Sequence, residues 1–134
     1  MFKISEAANL AIHAMAVLAN QPEDAYLPAT AITEKLHCSP SHLAKVLNGL
    51  ADRGLVESSR GAKGGYRLPG THRTISALDV LEAVDGEVPV EGCLLGQPIC
   101  HQHACAFQDL FVDLREQFVR RLKEVRLVDF PIKP

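Results

Sequence analysis

Residues 58–68 read Ser58-Ser59-Arg60-Gly61-Ala62-Lys63-Gly64-Gly65-Tyr66-Arg67-Leu68, and this basic, glycine-rich stretch decides the fold. Its glycines allow a tight turn over residues 61–65, and segments that favour strands flank the turn on both sides. Glycine also lets a backbone lie close to a polyanion, while arginine and lysine pair with phosphates. The stretch therefore predicts a β-hairpin that lies against DNA.

Two short helices are predicted directly before this hairpin. The first begins near Pro28, and the second has Ser39 as its N-cap, Pro40 in its first turn and Gly54 at its end. The second helix has an apolar face of Leu43, Val46, Leu47 and Leu50 opposite a polar face of Ser41, His42, Lys45 and Asn48. A helix-turn-helix followed by a hairpin is a winged helix, whose second helix, the recognition helix, enters the major groove. The predicted fold is therefore mainly α, with a small β-hairpin wing and a long C-terminal dimerisation helix.

The residues expected to contact DNA lie at the start of the recognition helix and in the wing. His42 can donate to a phosphate or a base edge, although a solvated helix surface would accommodate it equally well. Arg60 is the candidate for a narrow A·T-rich minor groove, whose negative potential attracts arginine. The complete set of predicted DNA-binding residues is Ser39, Ser41, His42, Lys45, Arg60, Lys63 and Tyr66.

The composition limits the classes of function. A chain of 134 residues with 47% hydrophobic content suits one compact unit, with a DNA-binding domain over residues 1–75 and a helical dimerisation region over residues 76–134. No apolar run reaches the roughly 18 residues of a membrane span, and the N-terminus does not resemble a signal peptide, so we expect a cytoplasmic protein without membrane contact. The sequence contains no nucleophile–base motif and no phosphate-binding loop, so we expect no enzymatic activity.

The net charge of −2 is unusual for a DNA-binding protein, which normally has a basic footprint. The charge is unevenly distributed, because residues 1–75 carry a net +2 and residues 76–134 a net −4. Five cations lie in or near the hairpin: Arg53, Arg60, Lys63, Arg67 and Arg73. A local positive patch is therefore expected on a mildly acidic protein, although a solvated charged face would have the same composition.

A long amphipathic helix is predicted over residues 106–125. Its apolar stripe consists of Phe107, Leu110, Phe111, Leu114, Phe118, Leu122 and Val125. A twofold partner would cover such a stripe on a chain this small, and packing within the monomer is the alternative. A homodimer presents two recognition helices, which predicts a pseudo-palindromic operator in double-stranded DNA with half-sites about 10 bp apart.

Three of the four cysteines, Cys93, Cys100 and Cys105, lie in the segment of about residues 88–105 that precedes this helix. In a cytosolic protein, clustered cysteines are typical of metal ligands or redox thiols rather than of a disulfide framework. Thiolates are soft ligands that suit an iron–sulfur cluster or zinc. The fourth cysteine, Cys38, lies in the turn of the helix-turn-helix and is interpreted as a small buried residue.

A longer pattern runs from the recognition helix to Gly86. It combines the helix positions Leu43, Val46, Leu47 and Leu50, the segment Gly54-Leu55-Val56, the wing sequence Arg60-Gly61-x-x-Gly64-Gly65-Tyr66-x-Leu68, and Asp79-Val80-x-x-Ala83-Val84-x-Gly86. This pattern resembles the Rrf2 family of bacterial winged-helix transcription regulators. The resemblance implies a homodimeric repressor or activator. Ala44 has no hydrogen-bonding group, so the operator preference of relatives with a polar residue there does not transfer.

The resemblance also implies a cofactor. In the sensor members of the family, three cysteines of this loop bind an iron–sulfur cluster, which implies Cys93, Cys100 and Cys105 as ligands of a [2Fe-2S] or [4Fe-4S] cluster. The gaps between them are six and four residues here, where the best-known members have five and five, so the cluster type stays open. The implied function is an operator affinity that responds to redox state, nitric oxide or iron. A cluster-free regulator that depends on thiols or zinc is the alternative.

A fourth cluster ligand is required, and the sequence leaves several candidates. Some relatives use the residue three positions after the last cysteine, which is Gln108 here, and others use the partner's first helix, where this chain has Asn9 and His13. An imidazole is a better ligand than an amide, which favours the partner's His13. Asn9, the loop residues His101 and His103, and an external ligand are the alternatives.

Overall fold

The computed structural model describes residues 3–90, 92–95, 97–101 and 105–134. Within them the chain forms five α-helices and a two-stranded antiparallel sheet, which confirms the predicted fold class. The helices are α1 (Glu6–Ala19), α2 (Ala29–Leu36), α3 (Pro40–Asp52), α4 (Ala77–Asp85) and α5 (Gln108–Glu124), and the strands are β1 (Glu57–Ser59) and β2 (Gly65–Arg67). None of the helices in the described part of the chain is both long and apolar enough to span a membrane.

Helix α1 lies at the centre of the core. Ser5 caps its N-terminus, since the Ser5 hydroxyl accepts a hydrogen bond from the Ala8 N–H at 3.0 Å. The helix is alanine-rich, and small side chains let neighbouring helices approach closely. Helices α2, α3 and α4 pack around it, and its buried residues are Ala8, Ala11, Ile12, Ala14, Met15, Ala16, Val17, Leu18 and Ala19.

Helices α2 and α3 form the predicted helix-turn-helix. Helix α2 ends at His37, whose φ of 51° places it in the left-handed region. Ser39 then caps α3, because its hydroxyl accepts from the His42 N–H at 3.4 Å, and Pro40 occupies the first turn. Leu43, Leu47 and Leu50 are buried against the core. The polar face of α3 is therefore turned outward by the burial of its apolar face.

The wing follows α3 in the predicted order, with a difference at its start. Leu55 donates to the Leu50 carbonyl at 3.0 Å and Gly54 has a φ of 72°, so both residues belong to the helix end. The segment before the turn, which favours a strand, consequently forms one only from Glu57 to Ser59. In the hairpin, Glu57 pairs with Arg67 and Ser59 with Gly65.

The chain before α2 pairs with the wing through an isolated β-bridge, which was not predicted. The Leu27 N–H donates to the Tyr66 carbonyl at 2.8 Å, and the Tyr66 N–H donates to the Leu27 carbonyl at 2.9 Å. Strand β2 therefore lies between β1 and residue 27. These bonds attach the wing to the residues that lead into the helix-turn-helix.

The C-terminal part of the chain packs on α1 and α4. Helix α4 begins with a reciprocal capping box between Ser76 and Asp79. Helix α5 covers Gln108–Glu124 rather than the predicted 106–125, because residues before Gln108 form a turn in which Gln108 donates to the Cys105 carbonyl at 3.2 Å. After α5 the chain returns to the core, where Leu127 is fully buried.

The apolar stripe of α5 is divided between the core and the surface. Phe111 is buried, and Phe118 and Leu122 pack against the main hydrophobic cluster. Phe107 and Leu110, at the start of the helix, are 50% and 48% exposed. Packing within the monomer thus accounts for the stripe from Phe111 to Leu122, and leaves its first turn and Val125, which is 38% exposed, uncovered by the described residues.

Candidate nucleic-acid interface and cysteine pocket

The start of α3 presents several of the predicted DNA-contacting side chains. Ser41 and Lys45 are exposed, and His42 is half-buried. Ser39 has a structural task as well, because its hydroxyl caps the helix and lies 2.9 Å from the Ser41 hydroxyl. The N-terminal turn of α3 therefore offers hydroxyl, imidazole and ammonium groups on one exposed surface.

The turn of the wing carries two further predicted DNA-contacting cations. Arg60 and Lys63 are exposed, and neither forms an ion pair or side-chain hydrogen bond with any described residue. Tyr66 instead faces α3, where its hydroxyl donates to Asn48 Oδ1 at 3.0 Å. This bond fixes the wing relative to the recognition helix. Asn48 had been placed on the polar face of α3, but its role as acceptor depends on the position of the wing.

Two of the five cations expected in the positive patch are occupied within the fold. Arg67 forms a 2.6 Å ion pair with Glu57 and lies 4.6 Å from the centre of the Tyr26 ring. The hydrogen bond to Glu57 raises the pKa of Arg67, so the guanidinium stays charged, and the Glu57 carboxylate neutralises that charge. Arg73 donates to the Ala19 carbonyl at 2.7 Å. Of the five, Arg53, Arg60 and Lys63 are exposed and have no such partner among the described residues, so fewer free cations are present than composition suggested.

The three clustered cysteines line one open pocket of about 490 Å³. His101 and Gln108 share its wall. All four cysteines of the chain are free thiols, and the Cys93 sulfur accepts a hydrogen bond from the Leu95 N–H at 3.4 Å. Within the described ranges, no three His, Cys, Asp or Glu side chains stand close enough together to form a preformed metal site. The donor set suits a thiolate-bound centre, and its ligands would have to draw together around it.

The other candidate ligands lie in two different places. Asn9 and His13 are exposed on α1 and line a second pocket of about 550 Å³, between α1 and the turn before α3. His13 Nδ1 lies 2.7 Å from the Asn9 carbonyl oxygen, and its ring meets the Phe130 ring edge-on at 5.8 Å. His101 belongs to the cysteine pocket itself. His103 lies outside the described residues.

Cys38 is only partly buried, rather than buried as interpreted from the sequence, and it packs against the main hydrophobic cluster. It also lines the pocket that contains His13. Cys38 is thus separate from the three loop cysteines.

A helix-turn-helix with an attached wing and an outward-facing recognition helix defines the class of protein: a winged-helix DNA-binding regulator of transcription. The family model of Rrf2, described as an iron-dependent transcriptional regulator, matches residues 4–131. The chain belongs to the Rrf2 family.

Individual relatives agree with this assignment. The transcriptional regulator IscR of Vibrio vulnificus is 32% identical, over 93% of this chain and 74% of its own length. The solved structure of CymR, the global cysteine regulator of B. subtilis, aligns with a TM-score of 0.78 and 26% identity, over 96% of this chain and 95% of CymR. CymR of Staphylococcus aureus in its oxidized form aligns with a TM-score of 0.71 and 28% identity, over 93% and 92% of the two chains. These relatives are transcription regulators rather than enzymes, as predicted for this chain.

Proposed function

We propose that this regulator binds a pseudo-palindromic operator as a homodimer and that an iron–sulfur cluster in the cysteine loop switches its affinity for DNA. The observation that carries the proposal is the convergence of Cys93, Cys100 and Cys105 on one pocket. The family model supports it, because its description names iron. The responses to be expected are those to redox state, nitric oxide or iron supply.

DNA binding is assigned to α3 and the wing turn. Ser41, His42 and Lys45 would face the major groove, and Ser39 would orient the first turn through its cap. Arg60 and Lys63 would reach phosphates or the adjacent minor groove, because they are exposed and unpaired among the described residues. Tyr66 would act mainly by fixing the wing to Asn48.

The cysteine pocket supplies three of the ligands that a cluster would require. Three thiolates would hold iron, and the N–H of Leu95 would donate to the Cys93 sulfur, a contact of the kind that tunes cluster potentials. When bound, the cluster would supply a centre that oxidation, nitric oxide or iron loss can alter. Both the [2Fe-2S] and the [4Fe-4S] types remain compatible with this donor set.

His13 of the partner subunit is the favoured fourth ligand. In the neutral imidazole the proton lies on Nδ1, because the Asn9 carbonyl can only accept, and Nε2 is left with a lone pair for a metal. The pocket of His13 and the cysteine pocket share none of their described lining residues. A ligand set that joins them would therefore combine two separate pockets, and the resemblance to relatives that use the partner's first helix favours two chains.

This arrangement would connect the cluster to the recognition helix. The His13 pocket is also lined by Ser39 and His42, which lie at the start of α3. A partner loop seated there would touch the residues that orient the recognition helix. Differential stabilisation of a few kcal/mol between two arrangements is enough to change operator occupancy by orders of magnitude.

A regulator that responds through its thiols alone is the second candidate. It is favoured by the likeness to CymR, named as a cysteine regulator and solved in an oxidized form, and by the exposure of Cys93 and Cys100. In that case the same pocket would bring thiols together for oxidation rather than for iron.

Anaerobic purification tests the proposal. We expect visible absorption bands, bound iron and acid-labile sulfide, and a change in affinity for a duplex selected from a randomised library when the cluster is removed. Cys100→Ser should abolish the bands, whereas Cys38→Ser, the matched control, should retain them. A colourless protein whose DNA binding responds to thiol oxidation would favour the second candidate.

The fourth ligand needs its own comparison. His13→Ala should shift the absorption spectrum and speed cluster loss, whereas His101→Ala should leave both nearly unchanged. The reverse result would assign the ligand to the loop. Mixed dimers of His13→Ala and Cys100→Ser chains would then show whether the ligands come from one subunit or from two.

A further inference from the structure

A small cleft of about 260 Å³ lies beside the recognition helix, away from the cysteine pocket. Its floor is apolar and consists of Ala7 at the start of α1, Val46 and Leu50 on α3, and Val84 near the end of α4. Lys45 and Arg53 border it on α3. The volume suits one small molecule and is too small for a nucleotide.

The two cations at the cleft have no counterion in the described part of the chain. The side chains of Lys45 and Arg53 are exposed, and neither forms an ion pair or a hydrogen bond with a described residue. They are two turns of α3 apart, so both can reach a ligand that lies along the helix. An anionic group with an apolar tail would match cations above an apolar floor.

Gly49 opens the cleft. It lies inside α3, and a Cβ at this position would meet no atom within 4 Å. Glycine inside a helix is less stable than alanine by about 0.5–1 kcal/mol, so its presence here has no structural reason within the described chain. A molecule that approaches the helix at this point would provide one.

We infer that this cleft binds a small organic monocarboxylate with an apolar tail and that the bound acid weakens DNA binding. The tail would cover Val46, Leu50 and Val84, while the carboxylate would pair with Lys45 and Arg53. The regulatory part rests on the proposed function, because Lys45 and His42 are assigned there to DNA and both border the cleft. A bound acid would neutralise the charge of Lys45 and sterically crowd His42.

Hexanoate is the probe, measured by calorimetry on the full chain without DNA. We expect saturable binding of hexanoate and none of the neutral hexanamide. Lys45→Gln or Arg53→Gln should each weaken hexanoate binding about tenfold, which corresponds to the loss of one charge-assisted hydrogen bond. Lys123→Gln on α5 removes the same charge far from the cleft and should bind normally. Gly49→Leu should fill the cleft, abolish binding and keep the fold, because leucine favours helix over glycine.

The outcomes separate the two parts of the inference. Absence of saturable binding, or equal binding by Gly49→Leu, overturns the site. If hexanoate binds, but the protein saturated with hexanoate has an unchanged affinity for the selected DNA duplex, the regulatory part is overturned. Binding that persists in a protein without DNA activity would instead refute the proposed DNA contacts and uphold the site.

Discussion

Gly65 lies where β2 passes closest to the segment before α2. Its φ of 143° is rarely adopted by other residues, and a Cβ there would overlap the Leu27 carbonyl. Gly64 is confined in a similar way, since its Cβ would overlap the Ser59 carbonyl, whereas Gly61 has open space around it. The Gly64-Gly65 pair is therefore required by the close approach of three chain segments, and Gly61 by the turn.

Gly65→Ala should separate the wing from residue 27. We expect the free energy of unfolding to fall by about 1–3 kcal/mol, from backbone strain and overlap with the Leu27 carbonyl. Denaturant unfolding followed by circular dichroism measures the change. Gly70→Ala is the control, because a Cβ there meets nothing within 4 Å. Equal stability of the two variants would refute the assigned close approach.

Arg60→Ala should affect DNA binding without affecting stability. Arg60 is exposed and unpaired among the described residues, so its removal leaves no polar group unsatisfied. We expect binding to the selected duplex to weaken by about 1–3 kcal/mol if the side chain reads a groove. Fluorescence anisotropy over a range of salt concentrations measures this loss. Arg121→Ala, which removes the same charge from α5, is the control. If it weakens DNA binding equally, Arg60 contributes only through its general electrostatic effect.

At the scale of elements, the chain between α4 and α5 is anchored to α5 at both of its ends. Near α4, Arg115 Nε donates to the Val88 carbonyl at 2.8 Å, and its guanidinium lies 3.5 Å from Glu87. Near α5, the rings of Phe107 and Phe111 lie 5.9 Å apart. Both flanks of the cysteine-bearing segment are therefore attached to α5. No pattern in the sequence had marked Arg115.

Arg115→Ala should release the α4 end of the loop. We expect stability to fall by about 1–2 kcal/mol, because the buried Val88 carbonyl loses its donor. Alkylation of Cys93 should become several-fold faster while that of Cys38 is unchanged, as mass spectrometry can follow. Glu87→Gln removes only the ion pair and should have little effect. Arg120→Ala, at an exposed position of α5, is the matched control; faster Cys93 alkylation in that variant too would argue against a specific attachment.

At the scale of the whole molecule, the C-terminal residues join α5 to the helix-turn-helix. Leu127 is buried beside Ile75, whose carbonyl accepts its N–H at 3.1 Å, and the Phe130 ring contacts His13 on α1. Lys35 of α2 donates to the Lys133 carbonyl at 3.4 Å. These contacts connect the end of α5 to α1 and α2 through packed segments.

The uncovered first turn of α5 gives a test of the proposed homodimer. Leu110→Glu should shift the protein towards monomer, because a carboxylate would replace a 48% exposed leucine in the expected interface. Sedimentation velocity measures the change, and operator affinity should fall with it. Gln117→Glu adds the same charge at another exposed position of α5 and should stay dimeric. A Leu110→Glu protein that remains dimeric would place the interface elsewhere.

The sequence by itself determined the features that depend on neighbouring residues. Ser39 and Pro40 predict the start of α3, Gly54 predicts its end, and Gly61 to Gly65 predict the turn of the wing. The proximity of Cys93, Cys100 and Cys105 along the chain was sufficient to propose a shared site. Caps, turns and apolar periodicity act over a few residues, so they can be read from the chain alone.

Only the tertiary structure decided which groups are free and which are occupied. Leu27 pairs with Tyr66, and the charge of Arg67 is neutralised by Glu57 and lies near the Tyr26 ring. Part of the apolar stripe of α5 packs on the core and part is exposed. All of these contacts join residues that are distant in sequence or lie on different elements. Such contacts depend on how the elements pack around α1, which no local pattern specifies. For this reason composition overstated the positive patch, and packing reduced it to the cations around α3 and the wing turn.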